Sequence, residues 1–207
     1  MEIRTCRTLV IAGLVALMLY WSWITAALAQ APPARQWEIG ARVGGGPSIV
    51  TQAYGGVPDG DLLMASVYVT RAVVRWKGFA AGYFAELTPL VVMTKVPGTS
   101  GISWDSSAVA GVGLQPVGVR FSQQIGGSVL AFAEAAGGGA GFTRAVPRPD
   151  ARALNVLASG GGGIRIGKRA GRAYLLGYRF THLSNAYTAP NNPGYNAHIF
   201  YLGVTLR

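Results

Sequence analysis

"GRAYLLGYRFTHLS", residues 171–184, decides the fold because its side chains alternate in character. The odd positions include Gly177, Arg179 and Thr181. The even positions carry bulky apolar groups and then two polar ones, in the order Tyr174, Leu176, Tyr178, Phe180, His182 and Ser184. A period of two is typical of a β-strand whose two faces meet different surroundings. The segment therefore predicts a strand with one apolar and one polar face.

Seven further segments have the composition of strands. They are rich in Val, Leu, Tyr, Phe, Ala and Gly, and turn residues separate them. Most are longer than the usual strand of about five or six residues. They reach the roughly nine to eleven residues that a tilted strand needs to cross a bilayer. The predicted strands are residues 37–43, 62–76, 79–93, 107–121, 128–142, 152–166, 171–184 and 195–206.

The connections between these segments alternate in length. Those at 76–79, 124–127 and 167–170 are short, whereas those at 44–61, 94–106, 143–151 and 185–194 are long. An even number of antiparallel strands, with short turns at one end and long loops at the other, is typical of outer-membrane barrels with both termini in the periplasm. The sequence therefore predicts an all-β fold, an eight-stranded antiparallel transmembrane β-barrel of outer-membrane type.

A membrane barrel turns its apolar side chains to lipid, so the faces of the strands can be predicted. In the seventh and eighth strands the even positions should point outward. Glu86 and Thr88 should point into the barrel, and Arg71 indicates a bulge among the valines of the second strand. In the third strand the predicted outward set is Phe79, Ala81, Tyr83, Leu87, Val91 and Met93.

The N-terminus has the layout of a secretory signal peptide. Two arginines precede an apolar stretch at 9–24, and Ala27-Leu28-Ala29 precedes Gln30. We expect cleavage after residue 29, which leaves residues 30–207 as one barrel domain; an uncleaved membrane anchor is the alternative. The single cysteine, Cys6, lies in this segment, so the mature chain has none. We expect no cofactor and no metal site.

The chain is strongly basic. Its formal net charge falls only from +10 to +9 when two arginines and one glutamate leave with residues 1–29. Such a balance favours an anionic partner, either phospholipid or lipopolysaccharide, and export makes nucleic acid a poor candidate. The residues that could meet lipid phosphates border the long loops: Lys95, Arg144, Arg148 and Arg152. Ordinary solvation of these loops, with basic residues spread over turns and an interior, is the alternative.

Polar side chains gather where the seventh and eighth strands meet their connecting loop. His182 and Ser184 share the outward face of one strand, and Asn196 and His198 share that of the next. Polar groups that face hydrocarbon are costly unless they pair, so their presence indicates a function. A histidine beside a serine is the minimal pair for nucleophilic catalysis when a third group orients the imidazole. His198 could instead hydrogen-bond with Asn196.

The stretch "YRFTHLSNAYTAPNNPGYNAHIFYLGVTLR", residues 178–207, resembles the C-terminal signature of the lipid A 3-O-deacylases. That signature is His, any residue, Ser and Asn, then a short loop with Asn, any residue and Gly. "FAELTP" at 84–89 and "FAEAAGGGAGF" at 132–142 are similar to less specific family stretches. The resemblance implies an eight-stranded barrel in the bacterial outer membrane, with lipid A or lipopolysaccharide of the outer leaflet as its partner.

The resemblance also implies a reaction and the residues that perform it. The reaction is hydrolysis of the 3-O-linked acyl chain of lipid A, with Ser184 as nucleophile and His182 as general base. Asn192 would donate to the oxyanion, and backbone near Asn185 or Gly194 would assist.

Asn196 departs from the family pattern, which has a glutamate there to orient the histidine. An asparagine can accept a hydrogen bond from the imidazole, but it cannot stabilise the imidazolium with a full negative charge. Two other functions therefore stay open, a non-catalytic barrel that binds lipid or is structural, and a phospholipase. The sequence also leaves open whether the barrel forms a homodimer.

Overall fold

A computed structural model of the 207-residue chain describes residues 37–53, 56, 60–97, 106–167 and 172–205. The described residues all belong to one compact unit, Gln36–Arg207. The predicted signal peptide, residues 1–29, and the predicted start of the barrel domain at residue 30 lie outside the described residues. Both therefore stay predictions.

The described residues form eight strands that close into an antiparallel barrel. Each strand pairs with the next in the sequence, and the last pairs with the first. The prediction of an all-β, eight-stranded antiparallel barrel is confirmed. None of the described residues belongs to a helix long and apolar enough to cross a membrane. The strands are β1 Glu38–Ile49, β2 Asp61–Trp76, β3 Phe79–Pro97, β4 Ser106–Gly126, β5 Val129–Val146, β6 Arg152–Gly167, β7 Ala173–Ser184 and β8 Tyr195–Thr205.

Several strands exceed their predicted bounds, and β1 does so through a run of glycines. β1 continues through "GGGPSI" to Ile49, whereas the sequence predicted its end at residue 43. These residues pair with β2 on one side and β8 on the other. A Cβ on Gly44 would lie 2.4 Å from the carbonyl oxygen of Phe200, so only glycine allows the two backbones to approach this closely.

The faces of β7 and β8 are as predicted. Every odd residue of β7 is buried in the barrel, and every even residue is half-buried or exposed on the outside. On β8, Phe200 and Leu202 point outward with exposed fractions of 62% and 63%, whereas Ile199 and Tyr201 are buried inside. Period-two alternation therefore predicted which side chains of these two strands reach the outer surface, except for Asn196, which is fully buried.

The prediction for the end of β3 is wrong. Val91 and Met93 point into the barrel, with exposed fractions of 1% and 0%, although they share the parity of the exposed Leu87. A register shift between Thr88 and Val91 places one extra residue in β3. Such a β-bulge reverses the two faces of the residues that follow it. In β2 an irregularity also occurs, between Ala72 and Val74, directly after Arg71.

The lumen of the barrel has two layers. The layer toward the long loops is an apolar core formed by Leu62, Met64, Val91, Met93, Val96, Val109, Ala140, Phe142, Val146, Leu157, Leu183, Tyr195, Ala197 and Ile199. The layer toward the short turns contains buried charges, which we call the interior charge network: Arg42, Glu86, Arg120, Glu134 and Arg179.

Each carboxylate of this network has two arginine partners. Arg42 binds both Glu86 and Glu134. Arg179 lies 2.8 Å from Glu86, and Arg120 lies 2.6 Å from Glu134. Buried charges are tolerated only when they are paired in this way, because each ion loses its hydration on burial. The network therefore fills the lower lumen and accounts for part of the basic charge of the chain.

Candidate active site

The centre of the site is a pair of side chains that face each other across β7 and β8. His182 is the register partner of Asn196, and the distance from His182 Nδ1 to Asn196 Oδ1 is 2.7 Å. An amide oxygen only accepts hydrogen bonds, so Nδ1 must carry the proton. The neutral imidazole then has its unprotonated nitrogen at Nε2, the form required of a general base. Asn196 has an exposed fraction of 0%, which protects this bond from water.

Ser184 lies two residues beyond His182 on the same outward face, at the end of β7. Its Oγ is 2.9 Å from Asn192 Nδ2 and 3.1 Å from Asn192 Oδ1. The backbone N–H of Ala186 also donates to Oγ, at 3.1 Å. Among the described residues these are the hydrogen-bond partners of the hydroxyl, rather than His182. A base and its nucleophile often come into hydrogen-bonding contact only when substrate binds.

The loop that follows Ser184, residues 185–194, is here called the site loop. The Asn185 side chain is buried and accepts from the N–H of Tyr187 at 2.9 Å, while its Nδ2 donates to the carbonyl of Asn191 at 2.8 Å. The N–H of Asn185 donates to Asn192 Oδ1 at 3.0 Å. This bond orients the Asn192 amide so that Nδ2 points toward the Ser184 hydroxyl. Asn185 thus folds the loop and turns Asn192.

Left-handed backbone is concentrated in the site loop. Ala186 and Tyr187 have φ angles of 51° and 59°, and Gly194 has 67°. Glycine adopts this region freely, but a residue with a Cβ is strained there by about 1–2 kcal/mol. The turn at Ala186 directs its N–H to Ser184. Sequence reasoning missed this donor because neither Ala nor Tyr indicates a left-handed conformation.

A neighbouring loop, between β5 and β6, holds the site loop in place. The Arg152 guanidinium donates to the carbonyl of Thr188 through Nε at 3.0 Å and Nη2 at 2.8 Å. Asp150 accepts from Asn191 Nδ2 at 2.7 Å and also pairs with Arg148 at 3.3 Å. Arg148, Asp150 and Arg152 lie outside residues 178–207, which carry the resemblance to the family. No local sequence pattern indicates that they contact the site loop.

The basic residues near the long loops make contacts within the protein. Arg148 and Arg152 have the partners just described, and Arg144 donates to the carbonyl of Val96 and to the hydroxyl of Ser107. Lys95 lies at an exposed, left-handed position of β3. Binding of lipid phosphates by these four residues therefore stays a prediction, and Arg144 and Arg152 already bind groups of neighbouring strands or loops.

His198 does not bond to Asn196 as the sequence allowed. Its Nδ1 lies 2.6 Å from the hydroxyl of Tyr178, and the two rings stack at 5.7 Å. Phe180, the register partner of His198, packs edge-on against the same ring. His198, the second histidine of the chain, therefore forms its hydrogen bond and its ring contacts with Tyr178 and Phe180 on the outer face, below the pair of His182 and Asn196.

The site lies near the upper limit of the apolar outer surface. Tyr174 and Ser184 mark the two ends of the outward face of β7. With a rise of about 3.3 Å per residue and a tilt of about 40°, these positions are separated by about 25 Å along the barrel axis, the height of the apolar band in membrane barrels. Ser184 is thus at the level where lipid chains join their head groups.

A strip of small side chains runs down the outer surface beside the site. Ala158 is the register partner of His182, Gly160 of Phe180, and Gly162 of Tyr178. A Cβ on Gly160 would meet only the carbonyl oxygen of Glu134, at 4.0 Å, and one on Gly137 would meet nothing. This smooth strip consists of Ala133, Ala135, Gly137, Ala158, Gly160 and Gly162. It is bordered by larger side chains of β7, so it can accommodate a linear hydrocarbon chain.

Comparisons with known proteins agree with this fold and place it among known barrels. Residues 68–205 match the family model described as lipid A 3-O-deacylase (PagL). The solved structure of the outer membrane enzyme PagL is similar, with 16% identity and a TM-score of 0.55 over 80% of this chain and 97% of that one. Neisserial surface protein A (NspA) is also similar, with 6% identity and a TM-score of 0.52 over 84% of this chain and 99% of that one. No curated protein sequence matches this chain.

Proposed function

Because the chain belongs to the lipid A 3-O-deacylase (PagL) family, we propose that Ser184 and His182 hydrolyse the ester that carries the 3-O-linked acyl chain of lipid A. The protein is an outer-membrane barrel. In such barrels the short turns face the periplasm and the long loops face the exterior. Ser184 then lies in the outer leaflet, where lipopolysaccharide is found, at the depth of its ester bonds.

The reaction proceeds in two steps. As the Ser184 oxygen attacks the ester carbonyl, the Ser184 proton passes to His182 Nε2, and a tetrahedral oxyanion forms. The oxyanion collapses, the bond to the sugar oxygen breaks, and His182 returns the proton to that oxygen. The resulting acyl-serine is then attacked by water, which His182 deprotonates in the same way. The second collapse releases the free fatty acid and restores the Ser184 hydroxyl.

Asn196 acts as the group that orients the base. Its Oδ1 lies 2.7 Å from His182 Nδ1, so it selects the tautomer that leaves Nε2 available. It supplies no negative charge, so the imidazolium formed during attack is stabilised by a dipole alone. Cys-His-Asn hydrolases work with the same neutral third residue. We therefore expect a functional but slower enzyme than one with a carboxylate at this position.

Two donors are available for the oxyanion. Asn192 Nδ2 and the N–H of Ala186 both lie within 3.1 Å of Ser184 Oγ. Donors fixed in advance around a nucleophile are well placed to bind the oxygen that becomes charged beside it. Asn185 is better suited to orienting Asn192, since its own N–H is engaged with Asn192 Oδ1. Gly194 supplies the left-handed turn that returns the chain to β8.

The acyl chain of the substrate would lie along the smooth strip. The strip begins beside His182 at Ala158 and continues down β5 and β6 with side chains no larger than a methyl group. A hydrocarbon chain there contacts protein on one side and lipid tails on the other. The ester at its upper end then reaches Ser184.

One observation carries this proposal: the bond between His182 and Asn196 lies next to a serine whose hydroxyl contacts two donors, at the level of lipid esters. The test uses the full chain purified from outer membranes, in detergent with hexa-acylated lipid A and mass spectrometry of the products. Loss of one 3-hydroxyacyl chain is expected with the unaltered chain and with the control Ser128→Ala, an exposed serine at a short turn. Ser184→Ala should abolish it.

Other outcomes separate the alternatives. Intact lipid A with hydrolysed glycerophospholipid would identify a phospholipase that uses the same residues. If neither lipid changes while the barrel is folded, the protein is a non-catalytic barrel, consistent with the loss of the acid at Asn196. A homodimer stays a prediction, which chemical cross-linking in the same detergent can test.

A further inference from the structure

Arg71 is a charged residue on the lipid-facing side of the barrel. It is exposed on β2, and the same face carries Val67 and Val69. An arginine on this face costs about 2–4 kcal/mol at the bilayer midplane but about 0–1 near the interfaces. We therefore expect Arg71 to lie near a membrane boundary or to have a partner for its charge.

One aromatic ring lies against the Arg71 guanidinium, and a second packs against the first. The guanidinium lies 5.5 Å from the ring of Trp37, at the start of the barrel, and Tyr83 is the register partner of Arg71 on β3. The rings of Trp37 and Tyr83 are perpendicular, with centroids 6.1 Å apart. The Tyr83 hydroxyl donates to the carbonyl of Pro116, which fixes that ring. The arginine thus has a cation–π partner in Trp37, whose ring packs edge-on against Tyr83.

This group lies at the periplasmic boundary of the apolar surface. Outward aromatic rings form girdles at both membrane interfaces of such barrels. The lower girdle here includes Trp37, Tyr83, Phe121 and Tyr174, which are between 38% and 71% exposed. Tyr174 is about 25 Å below Ser184 by the strand geometry given above. Arg71 therefore faces the head groups of the inner leaflet of the outer membrane.

No carboxylate among the described residues lies within salt-bridge distance of Arg71. The acidic residues in this half of the barrel, Glu38, Glu86 and Glu134, pair with arginines of the lumen. The arginines of the long loops likewise have partners within the protein. Arg71 differs from all of these, because it lies on the outer face and its charge contacts the ring of Trp37.

We propose that Arg71, beside Trp37, binds the phosphodiester of a phospholipid in the inner leaflet. A guanidinium has a planar fork of donors that matches two phosphate oxygens, and weak hydration lets it remain beside aromatic rings. Trp37 and Tyr83 contact the glycerol region of the same lipid. The contact fixes the depth of the barrel at its lower edge. The site is independent of the esterase proposed above, so either proposal can fail alone.

Native mass spectrometry of the full chain in mild detergent tests the site. The added probes are dioleoyl phosphatidylglycerol, dioleoyl phosphatidylethanolamine and dioleoylglycerol, which lacks the phosphate. We expect one retained phospholipid of either kind and no retained dioleoylglycerol. Arg71→Gln should reduce this retention by about tenfold, since a hydrogen bond to a charged group is lost. The control Arg172→Gln, an exposed arginine at the same end of the barrel, should leave it unchanged.

Several results would overturn the proposal. Equal retention by Arg71→Gln and the unaltered chain would show that the lipid binds elsewhere. Equal retention of dioleoylglycerol would show that the rings alone hold it, and displacement by millimolar inorganic phosphate would indicate a site for free anions. Folding of each variant is checked by heat-modifiable electrophoresis. If Arg71→Gln fails to fold, Trp37→Leu replaces it, with the same expected loss of phospholipid.

Discussion

The interior charge network and the site at the β7–β8 hairpin are both polar clusters in a largely apolar barrel, but they differ in charge and in exposure. The interior charge network consists of ionised groups, each 7% exposed or less, with every carboxylate paired twice. The site consists of an imidazole, a hydroxyl and amides, and its His182 and Ser184 are half-exposed on the outer face.

This difference indicates that the polar groups of the interior charge network stabilise the fold, whereas those of the site are available for a reaction. The ions in the lumen neutralise one another, since each carboxylate is bound by two arginines. In the site, by contrast, the His182 tautomer and the donors around Ser184 are set by neutral partners. Neutral groups cost less to hold at the edge of hydrocarbon than ions do. Asn196, which orients His182, is fully buried within this cluster.

The largest expected effect is on the orienting residue of the site. Asn196→Ala should lower kcat by about 10⁴-fold, because the imidazole tautomer is no longer fixed. The rate is measured by mass spectrometry of lipid A. Asn196→Asp keeps an acceptor oxygen at the same place and adds a negative charge beside the imidazolium, so its kcat should equal or exceed that of the unaltered chain. A fall of less than tenfold with Asn196→Ala would mean that another group orients His182.

The next effect is on the interior charge network. Glu86→Gln leaves Arg42 and Arg179 without their shared carboxylate and should lower the free energy of unfolding by about 3–5 kcal/mol. Urea titration of the barrel in detergent, followed by electrophoretic mobility, measures it. Glu38→Gln is the matched control: its side chain is 26% exposed, so about 1 kcal/mol or less is expected. If Glu86→Gln lost activity while its stability was unchanged, the interior charge network would have a role in the reaction and not only in stability.

Removal of an oxyanion donor should have a somewhat smaller effect. Asn192→Ala should lower kcat by about 10²–10³-fold, with KM nearly unchanged, because the interaction strengthens only in the transition state. Initial rates over a range of lipid A concentrations separate the two parameters. An increase in KM alone would assign Asn192 to substrate binding instead.

Asp150 acts on the site through the site loop, as a positioning residue. Asp150→Ala leaves Asn191 Nδ2 without its acceptor and should lower kcat by about tenfold. Asp150→Asn keeps an acceptor oxygen and should restore most of the rate. In the Asn192→Ala background, Asp150→Ala should add nothing, because Asn192 is the group that it positions. Full additivity in this cycle would show that Asp150 affects only stability.

The smallest expected effect concerns the smooth strip. Gly160→Leu introduces a large side chain where a Cβ has room, so the barrel should fold normally. Hydrolysis of long acyl chains should slow by less than about tenfold, and that of short chains should not change. Equal slowing of both, measured with synthetic esters of two lengths, would place the acyl chain elsewhere on the barrel.

Much of the architecture could be predicted because it depends on local patterns. Composition and turn residues predicted the eight strands, the alternating connection lengths predicted their antiparallel order, and period-two alternation predicted the outward faces of β7 and β8. The pairing of His182 with Asn196 was also within reach, since a hairpin joins neighbouring strands and brings their ends together. The bulge in β3 could not be predicted from the sequence, because one extra residue does not change the composition of the strand. It nevertheless reverses the faces on which Val91 and Met93 lie.

The sequence by itself determined the strands, the hairpin and the residue types of the site, because each depends on neighbours along the chain or across one turn. Only the tertiary structure decided that Arg42 meets Glu86 and Glu134, which lie 44 and 92 residues away. It also brought Asp150 to Asn191 and directed the N–H of Ala186 to Ser184. The physical reason is closure of the barrel: the stagger between strands sets which distant side chains share a level in the lumen and which loops meet at the rim.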